Sequence, residues 1–418
     1  MDHFRYVDDT YVAEDVPLAT IAETVGTPCY VYSRATIERH WRVFDRAFGE
    51  YPHRICYSVK ANSNLAVLDL LVRLGSSFDI VSIGELERVI RAGGHPSDIV
   101  FSGVGKRESE IRRALNVGVG CINLESASEL NRVIKVSNEL GKTAPIGIRI
   151  NPDVDPKTHP YIATGRRDNK FGIEIQEAKA MFRRVANISN IEIKGLACHI
   201  GSQLLEIQPF IDAVEKVVDF LNQLAEEDIE ISQIDIGGGL GIRYKEESPP
   251  EPESYANAIV DIMERHGFRI PVIIEPGRAI IGNAGIFLTK VEYLKYSEHR
   301  NFAIVDAGMN DLLRPALYQG YHEILPAQRE TRRNPKVYDI VGPVCESADF
   351  LGQNRSLTLA EGDLLVVRSA GAYGFVMSSS YNSRTRPPEV IVDRDRFHVA
   401  RKRETLNQLM EGECLFPR

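Results

Sequence analysis

The stretch SFDIVSIGELERVIRAGG, residues 77–94, reads as one structural unit in two halves. SFDIVS is a short β-rich apolar run, and GELERVIRAGG after it is charged and helix-patterned. Runs of the first kind recur along the chain: ICYSVK (55–60), SFDIVS (77–82), IVFSG (99–103), GCINL (120–124) and IGIRIN (146–151), then IKGLACHI (193–200), QIDIGG (233–238) and VIIEPGR (272–278). Helix-patterned stretches such as SASELNRVIKVSNELGK (126–142) lie between them. Eight strands with intervening helices predict an α/β fold, a (β/α)8 TIM-like barrel, and an open doubly wound sheet is the alternative. The fifth unit carries a long polar insertion, NPDVDPKTHPYIATGRRDNKFG (151–172). Loops of that length usually serve function.

After Gly285 the rhythm changes to strand-like segments without long helices: FLTKVEYLKY (287–296), FAIVDAG (302–308), KVYDIVGP (336–343), DLLVVRSAG (363–371) and PPEVIVD (387–393). Glycines and prolines punctuate them, which predicts a second, mainly β domain of sandwich or barrel type. TPCYVYS (27–33) also reads as a strand and can join it. The expected division is residues 30–285 for the barrel, and 1–29 with 286–418 for the β domain. A chain of 418 residues exceeds what one hydrophobic core usually serves.

A hydrophobic fraction of 43% and a charged fraction of 26% lie in the range of ordinary soluble proteins. The net charge of −8, without long single-sign runs, argues against a nucleic-acid partner, which needs concentrated basic surface. Six cysteines lie far apart with no CxxC pair, so neither a zinc site nor a disulfide framework is predicted. HxH spacing and clustered carboxylates are also missing, which leaves no predicted metal site. The start MDHFRYVDDTYVAEDVP is acidic and lacks an apolar signal core, and no apolar run approaches the roughly 20 residues that span a bilayer. The expectation is a cytoplasmic protein acting on a small molecule, without a membrane partner.

In such barrels the active site lies at the C-terminal strand ends. Those ends carry Lys60, then Asp79 and Ser82, His199, the glycines Gly237, Gly238 and Gly239, and finally Glu275 and Arg278. A strand-end lysine is ordinarily a solvated amine, yet at a barrel mouth desolvation favours a Schiff base. DIGGGLG (235–241) is either a tight turn or a phosphate cradle of free N–H groups. His199 alone reads as a satisfied core histidine; with Ser202 it offers a ring to stack and a hydroxyl for phosphate. In EPGR (275–278), Glu275 suits a pyridine nitrogen, Pro276 and Gly277 make the turn, and Arg278 suits phosphate or carboxylate, or a structural ion pair.

YSVKAN (57–62), CHIGSQ (198–203), DIGGGLG (235–241), EPGR (275–278) and GPVCESADF (342–350), in this order, resemble the barrel-type pyridoxal-phosphate (PLP) decarboxylases that act on ornithine, arginine or diaminopimelate. The resemblance implies PLP as cofactor, held by Lys60 as a Schiff base, with His199 stacked on the ring and Glu275 on its nitrogen. Asp79, Ser202, Gly237, Gly238, Gly239, Pro276, Gly277, Arg278 and Tyr373 complete the implied cofactor site. It further implies a homodimer with shared active sites, in which Cys345 comes from the partner and reprotonates Cα. Glu346 after the motif cysteine, with Arg314 and Tyr318 in LLRPALYQGYH (312–322) and Tyr373 in SAGAYGF (369–375), resembles the diaminopimelate branch. There a distal carboxylate meets Arg278 and Arg314, and a distal ammonium meets Glu346. The implied reaction turns meso-2,6-diaminopimelate into L-lysine and CO2. The alternatives are a related basic amino-acid or carboxynorspermidine-type decarboxylase, a non-catalytic regulatory homologue, and a metal-dependent barrel lyase.

Overall fold

The computed structural model describes residues 2–155, 164–165, 169–330 and 334–417. Half of the fifth-unit insertion, residues 156–163 and 166–168, therefore lies outside the described residues, and with it the expectation of a functional loop there. The chain forms two compact units, one of Glu38–Ile242 with Glu247–Ala279, the other of Met1–Ile37, Arg243–Glu246 and Ile280–Arg418.

The first unit is a closed barrel of eight strands: His53–Ser58, Ser77–Ile80, Ile99–Phe101, Cys121–Leu124, Ala144–Arg149, Ile191–Ala197, Gln233–Asp235 and Val272–Ile274. Each pairs in parallel with its sequence neighbour, and the last closes on the first through the register Val272↔His53 to Ile274↔Ile55. The strands are apolar on both faces because one face meets the outer helices and the other fills the barrel. Inside, Cys56, Val100, Cys121 and Ile273 pack as one buried cluster.

The opening stretch resolves into the strand Ser77–Ile80 and the helix Ile83–Arg91. Ser82 is not a strand end: its side chain accepts from the Glu85 N–H and caps that helix, while Glu85 Oε2 accepts from the Val81 N–H at 2.7 Å. The buried Leu86 and Val89 turn one face of the helix inward. Several runs overshoot their strands in the same way. ICYSVK keeps the ladder only to Ser58, and Lys60 sits in a 3-10 turn, Val59–Ala61. QIDIGG leaves it after Asp235 and VIIEPGR after Ile274.

The β unit holds a nine-stranded sheet and a three-stranded one, Phe4–Val7, Thr10–Ala13 and Val16–Pro17. A division between residues 29 and 30 would cut the strand Cys29–Ser33, which pairs antiparallel with Gly285–Tyr296 and parallel with Glu389–Asp393. The boundary thus moves to Ile37, and at the other end to Ile280, with Arg243–Glu246 added to the β unit. Val31, Ile286, Leu288, Val390 and Val392 from these strands, with Val366 of the strand Leu364–Val367, pack with Leu18 and Ile21 of the helix Leu18–Val25 in one core. Among the described residues no helix is long and apolar enough to cross a membrane.

Candidate active site

The barrel's first strand turns abruptly after Ser58, and the turn carries Lys60 back over the end of the second strand. Its ammonium pairs with Asp79 Oδ2 and donates to Ser58 Oγ at 3.3 Å. Ser58 has one proton, which reaches Asp79 Oδ2 at 2.9 Å or the Glu275 carbonyl at 3.1 Å. Asp79 is fully buried, and its other oxygen, Oδ1, has no hydrogen-bond partner. A buried carboxylate oxygen without a donor is costly, so this one marks a place for a further group.

The seventh and eighth strand ends lie against each other. The Glu275 N–H donates to Gly237 O at 2.8 Å, and a Cβ on Gly238 would come within 2.2 Å of Glu275 O. Gly239 has φ +115°, and a Cβ there would lie 2.4 Å from Gly201 O. A Cβ on Gly277 would press to 2.9 Å on Ala61 and Ser58, which seats the EPGR turn on the lysine turn. The glycine run was expected to offer free N–H groups, but Gly237 donates to Asp235 Oδ1 at 2.9 Å and Gly238 to His199 Nδ1 at 3.1 Å. Both are spent in aligning the acid and the imidazole. Arg278 is buried and donates to Ser202 Oγ at 3.0 Å, so these two motif residues do converge.

Glu275 is buried beside Asp235, and its Oε1 has no partner. Burial first, then the Asp235 and Asp79 charges, push the Glu275 carboxyl far above the usual range. Burial also raises Asp235, to about 6, although the Gly237 N–H and Asn123 Nδ2 at 3.1 Å favour its anion. The site therefore holds a carboxylic proton next to an open oxygen. His199 is held well below the usual histidine range, first by burial and then by the Arg149 and Lys60 cations. Its ring is neutral, and because Nδ1 accepts, the proton is on Nε2. Its carbonyl accepts from Thr164 Oγ1 at 2.9 Å and from Arg149 at 3.4 Å, and Arg149 is itself paired with Glu125 at 2.6 Å.

In the β unit, Arg314 and Tyr318 open and close the short helix Arg314–Tyr318, a spacing that puts them on one face. Arg314 is buried, its guanidinium 4.4 Å from the Tyr244 ring centre and 2.7 Å from His322 Nε2. Cys345 and Glu346 are exposed in the loop after Lys336–Val341. That loop is folded around the buried Asp349, whose carboxylate accepts from Val344 N and Met309 N, both at 2.6 Å. The Cys345 N–H donates to Asn382 Oδ1 at 2.9 Å, and the Tyr381 hydroxyl donates to Glu346 Oε1. Tyr373 stands at φ 56°, left-handed backbone that a tyrosine adopts only where its surroundings impose it.

The sequence reading missed Ser58, Asp235, Arg149, Asp349 and His322. All five lay inside quoted segments: Ser58, Arg149 and Asp235 in YSVKAN, IGIRIN and DIGGGLG were read as strand residues, and His322 and Asp349 in LLRPALYQGYH and GPVCESADF were given no role. Together, an amine on a buried carboxylate, a neutral imidazole, a buried proton-bearing acid with an open oxygen and a serine–arginine pair fit PLP. It brings an aldehyde, a flat ring, a basic nitrogen and a phosphate to those same chemistries. No cluster of histidine, cysteine or carboxylate side chains that could hold a metal ion occurs among the described residues.

Comparison with known proteins gives the same answer. The family described as pyridoxal-dependent decarboxylase, pyridoxal binding domain, matches residues 34–282. The chain is 56% identical to the diaminopimelate decarboxylase of Vibrio cholerae over 418 residues, all of both chains, and 54% identical to that of Pseudomonas aeruginosa over 417 residues, again all of both. The crystal structure of diaminopimelate decarboxylase from Helicobacter pylori complexed with L-lysine is 41% identical, with a TM-score of 0.90 over 94% of this chain and 98% of that one. Identity of this depth over the full length places the sequence inside one branch, and the chain belongs to the pyridoxal-dependent decarboxylase family, with the diaminopimelate decarboxylases.

Proposed function

We propose that this chain decarboxylates meso-2,6-diaminopimelate to L-lysine and CO2 with PLP, the last step of lysine biosynthesis. In this reading it works in the cytoplasm as a homodimer in which the GPVCESADF segment of one subunit completes the site of the other. The observation that carries the chemistry is the barrel cluster in which Lys60 meets buried Asp79 while Glu275 keeps a proton and an open oxygen. The substrate rests on the full-length relatives and on the L-lysine bound by the Helicobacter pylori enzyme.

When bound, PLP supplies an electron sink for the pair released as CO2 departs. The chain's own part is to hold, orient and protonate. Lys60 would hold PLP through its aldehyde, and Asp79, paired with the Lys60 ammonium and with one oxygen still open, would take the proton that the amine sheds. Glu275 would face the ring nitrogen and keep it protonated. His199, neutral and fixed at Nδ1 and at its carbonyl, would stack against the ring, where a cation would oppose the sink. Ser202, Arg278, Tyr373 and the turn of Gly237, Gly238 and Gly239 would hold the phosphate, with Pro276 and Gly277 setting the turn. Cys345 returns a proton to Cα. Arg278, Arg314 and Tyr318 receive the distal carboxylate and Glu346 the distal ammonium, and this charge pattern opposes a plain diamine.

A substrate panel tests the reading. The kcat/KM for meso-diaminopimelate is expected to exceed those for ornithine, arginine and carboxynorspermidine by about 100-fold or more, the discrimination of a site whose buried charges would be left unpaired. Faster turnover of any of the three would replace the assignment.

A further inference from the structure

The β unit buries a histidine that the reaction outlined above does not use. His322 has no exposed surface and lies four residues beyond the helix Arg314–Tyr318. Its Nδ1 is 2.8 Å from the Arg368 carbonyl, which can only accept, so Nδ1 carries the ring proton. Nε2 is then an acceptor, 2.7 Å from Arg314 Nη1. The assignment leaves no freedom: a proton on Nε2 would set two donors against each other. Tyr244 restrains the same guanidinium from a second direction, with its ring centre 4.4 Å from Arg314 Cζ and its plane at 83° to the imidazole. One group thus holds the guanidinium by an edge and the other covers a face, and the two restraints fix both its position and its plane.

We infer that His322 is a positioning residue for substrate recognition, an uncharged acceptor that holds the Arg314 guanidinium in the orientation that receives the distal carboxylate. The inference rests on the assignment of Arg314 made above. An acceptor here must be neutral. A carboxylate in its place would pair with Arg314 and compete with the substrate, whereas a neutral imidazole orients the guanidinium and adds no negative charge of its own. The Arg368 carbonyl, fixed by the strand pairing in which the Arg368 N–H donates to Glu323 O at 2.8 Å, sets the tautomer.

The test uses the holoenzyme and two competitive probes that differ in one group: L-lysine, which carries the distal α-carboxylate, and 1,5-diaminopentane, which lacks it. His322→Phe is expected to raise the L-lysine inhibition constant and the KM for diaminopimelate about tenfold, equivalent to about 1.4 kcal/mol. It is expected to leave inhibition by 1,5-diaminopentane within twofold and to move kcat less than KM. His322→Gln keeps a neutral acceptor and is expected to return L-lysine inhibition to within about threefold of the parent. Should the phenylalanine variant fail to fold, as judged by cofactor absorbance and thermal unfolding, His322→Met removes the same acceptor with a more adaptable side chain. Equal loss for both probes, or unchanged L-lysine inhibition, overturns the inference. Arg314→Met separates the two levels: if it weakens L-lysine and His322→Phe does not, only the positioning role falls. If Arg314→Met leaves L-lysine binding unchanged, the assignment of Arg314 falls, and the inference with it.

Discussion

Replacing Gly238 with alanine puts the geometry of the cofactor site to a quantitative test. The new methyl would lie 2.2 Å from the Glu275 carbonyl oxygen and 3.0 Å from its carbon, both backbone atoms. A carbon–oxygen contact needs roughly 3.3 Å, so the seventh and eighth strand ends must part by about 1 Å. They cannot part freely, because Glu275 N–H donates to Gly237 O at 2.8 Å and Ile236 N–H to Ile273 O at 3.0 Å. The same residue donates from its own N–H to His199 Nδ1, so the shift reaches the acid and the imidazole together. Overpacking of this kind costs about 1–3 kcal/mol in stability, and a 1 Å misplacement of reacting groups costs about 100-fold in rate. Gly238→Ala is therefore expected to fold with a lowered midpoint, to bind PLP more weakly by absorbance titration, and to lose about 100-fold in kcat/KM. Gly105→Ala is the control, since nothing lies within 4 Å of its methyl. Parental cofactor affinity and parental rate in Gly238→Ala would refute the placement of these strand ends around the cofactor.

Two further outcomes are expected. Cys345→Ala should keep the absorbance of bound cofactor and slow product formation by about 100-fold or more, the usual weight of a positioned acid; an unchanged rate would remove it from that role. Glu85, near Lys60, is raised by burial from the ordinary 4.5 to about 7, against the pull of the Val81 N–H and Lys60. The folded state therefore keeps a proton that the unfolded chain sheds. The associated stability is full below pH 4.5 and is lost as pH rises through about 7, a span worth about 1–3 kcal/mol. Glu85→Gln should abolish that loss, so its stability relative to the parent should rise between pH 5 and pH 8 in urea unfolding. A flat difference would show that folding does not raise the Glu85 carboxyl above its ordinary value.

The barrel was legible because strands buried on both faces write themselves as continuous apolar runs. Their ends were not, since the residues that leave the ladder, such as Ile236 and Glu275, are as apolar or as close to the motif as those within it. In the β unit, FLGQNRSL and RFHVAR, the strands Phe350–Leu357 and Arg396–Arg401, lie at opposite edges of the sheet. Edge strands bury less and tolerate charge, which hides them from an apolar pattern. The domain division failed at Cys29–Ser33 for a related reason: a strand that precedes the barrel pairs with partners more than 250 residues later. Lys60, His199, Glu275 and Arg278 were singled out because cofactor chemistry asks for particular side chains at strand ends. His322 and Asp349 stand inside quoted segments but act on other protein groups, Arg314 and the Val344 and Met309 N–H groups, a role that the motif pattern does not record.

What the purified protein makes decides its reaction. Incubated with PLP and meso-2,6-diaminopimelate, it should release CO2 and L-lysine in equal amounts, and Lys60→Ala should form neither while losing the absorbance of the bound cofactor. No lysine from the parent, or undiminished lysine from the Lys60→Ala protein, would contradict the proposed reaction.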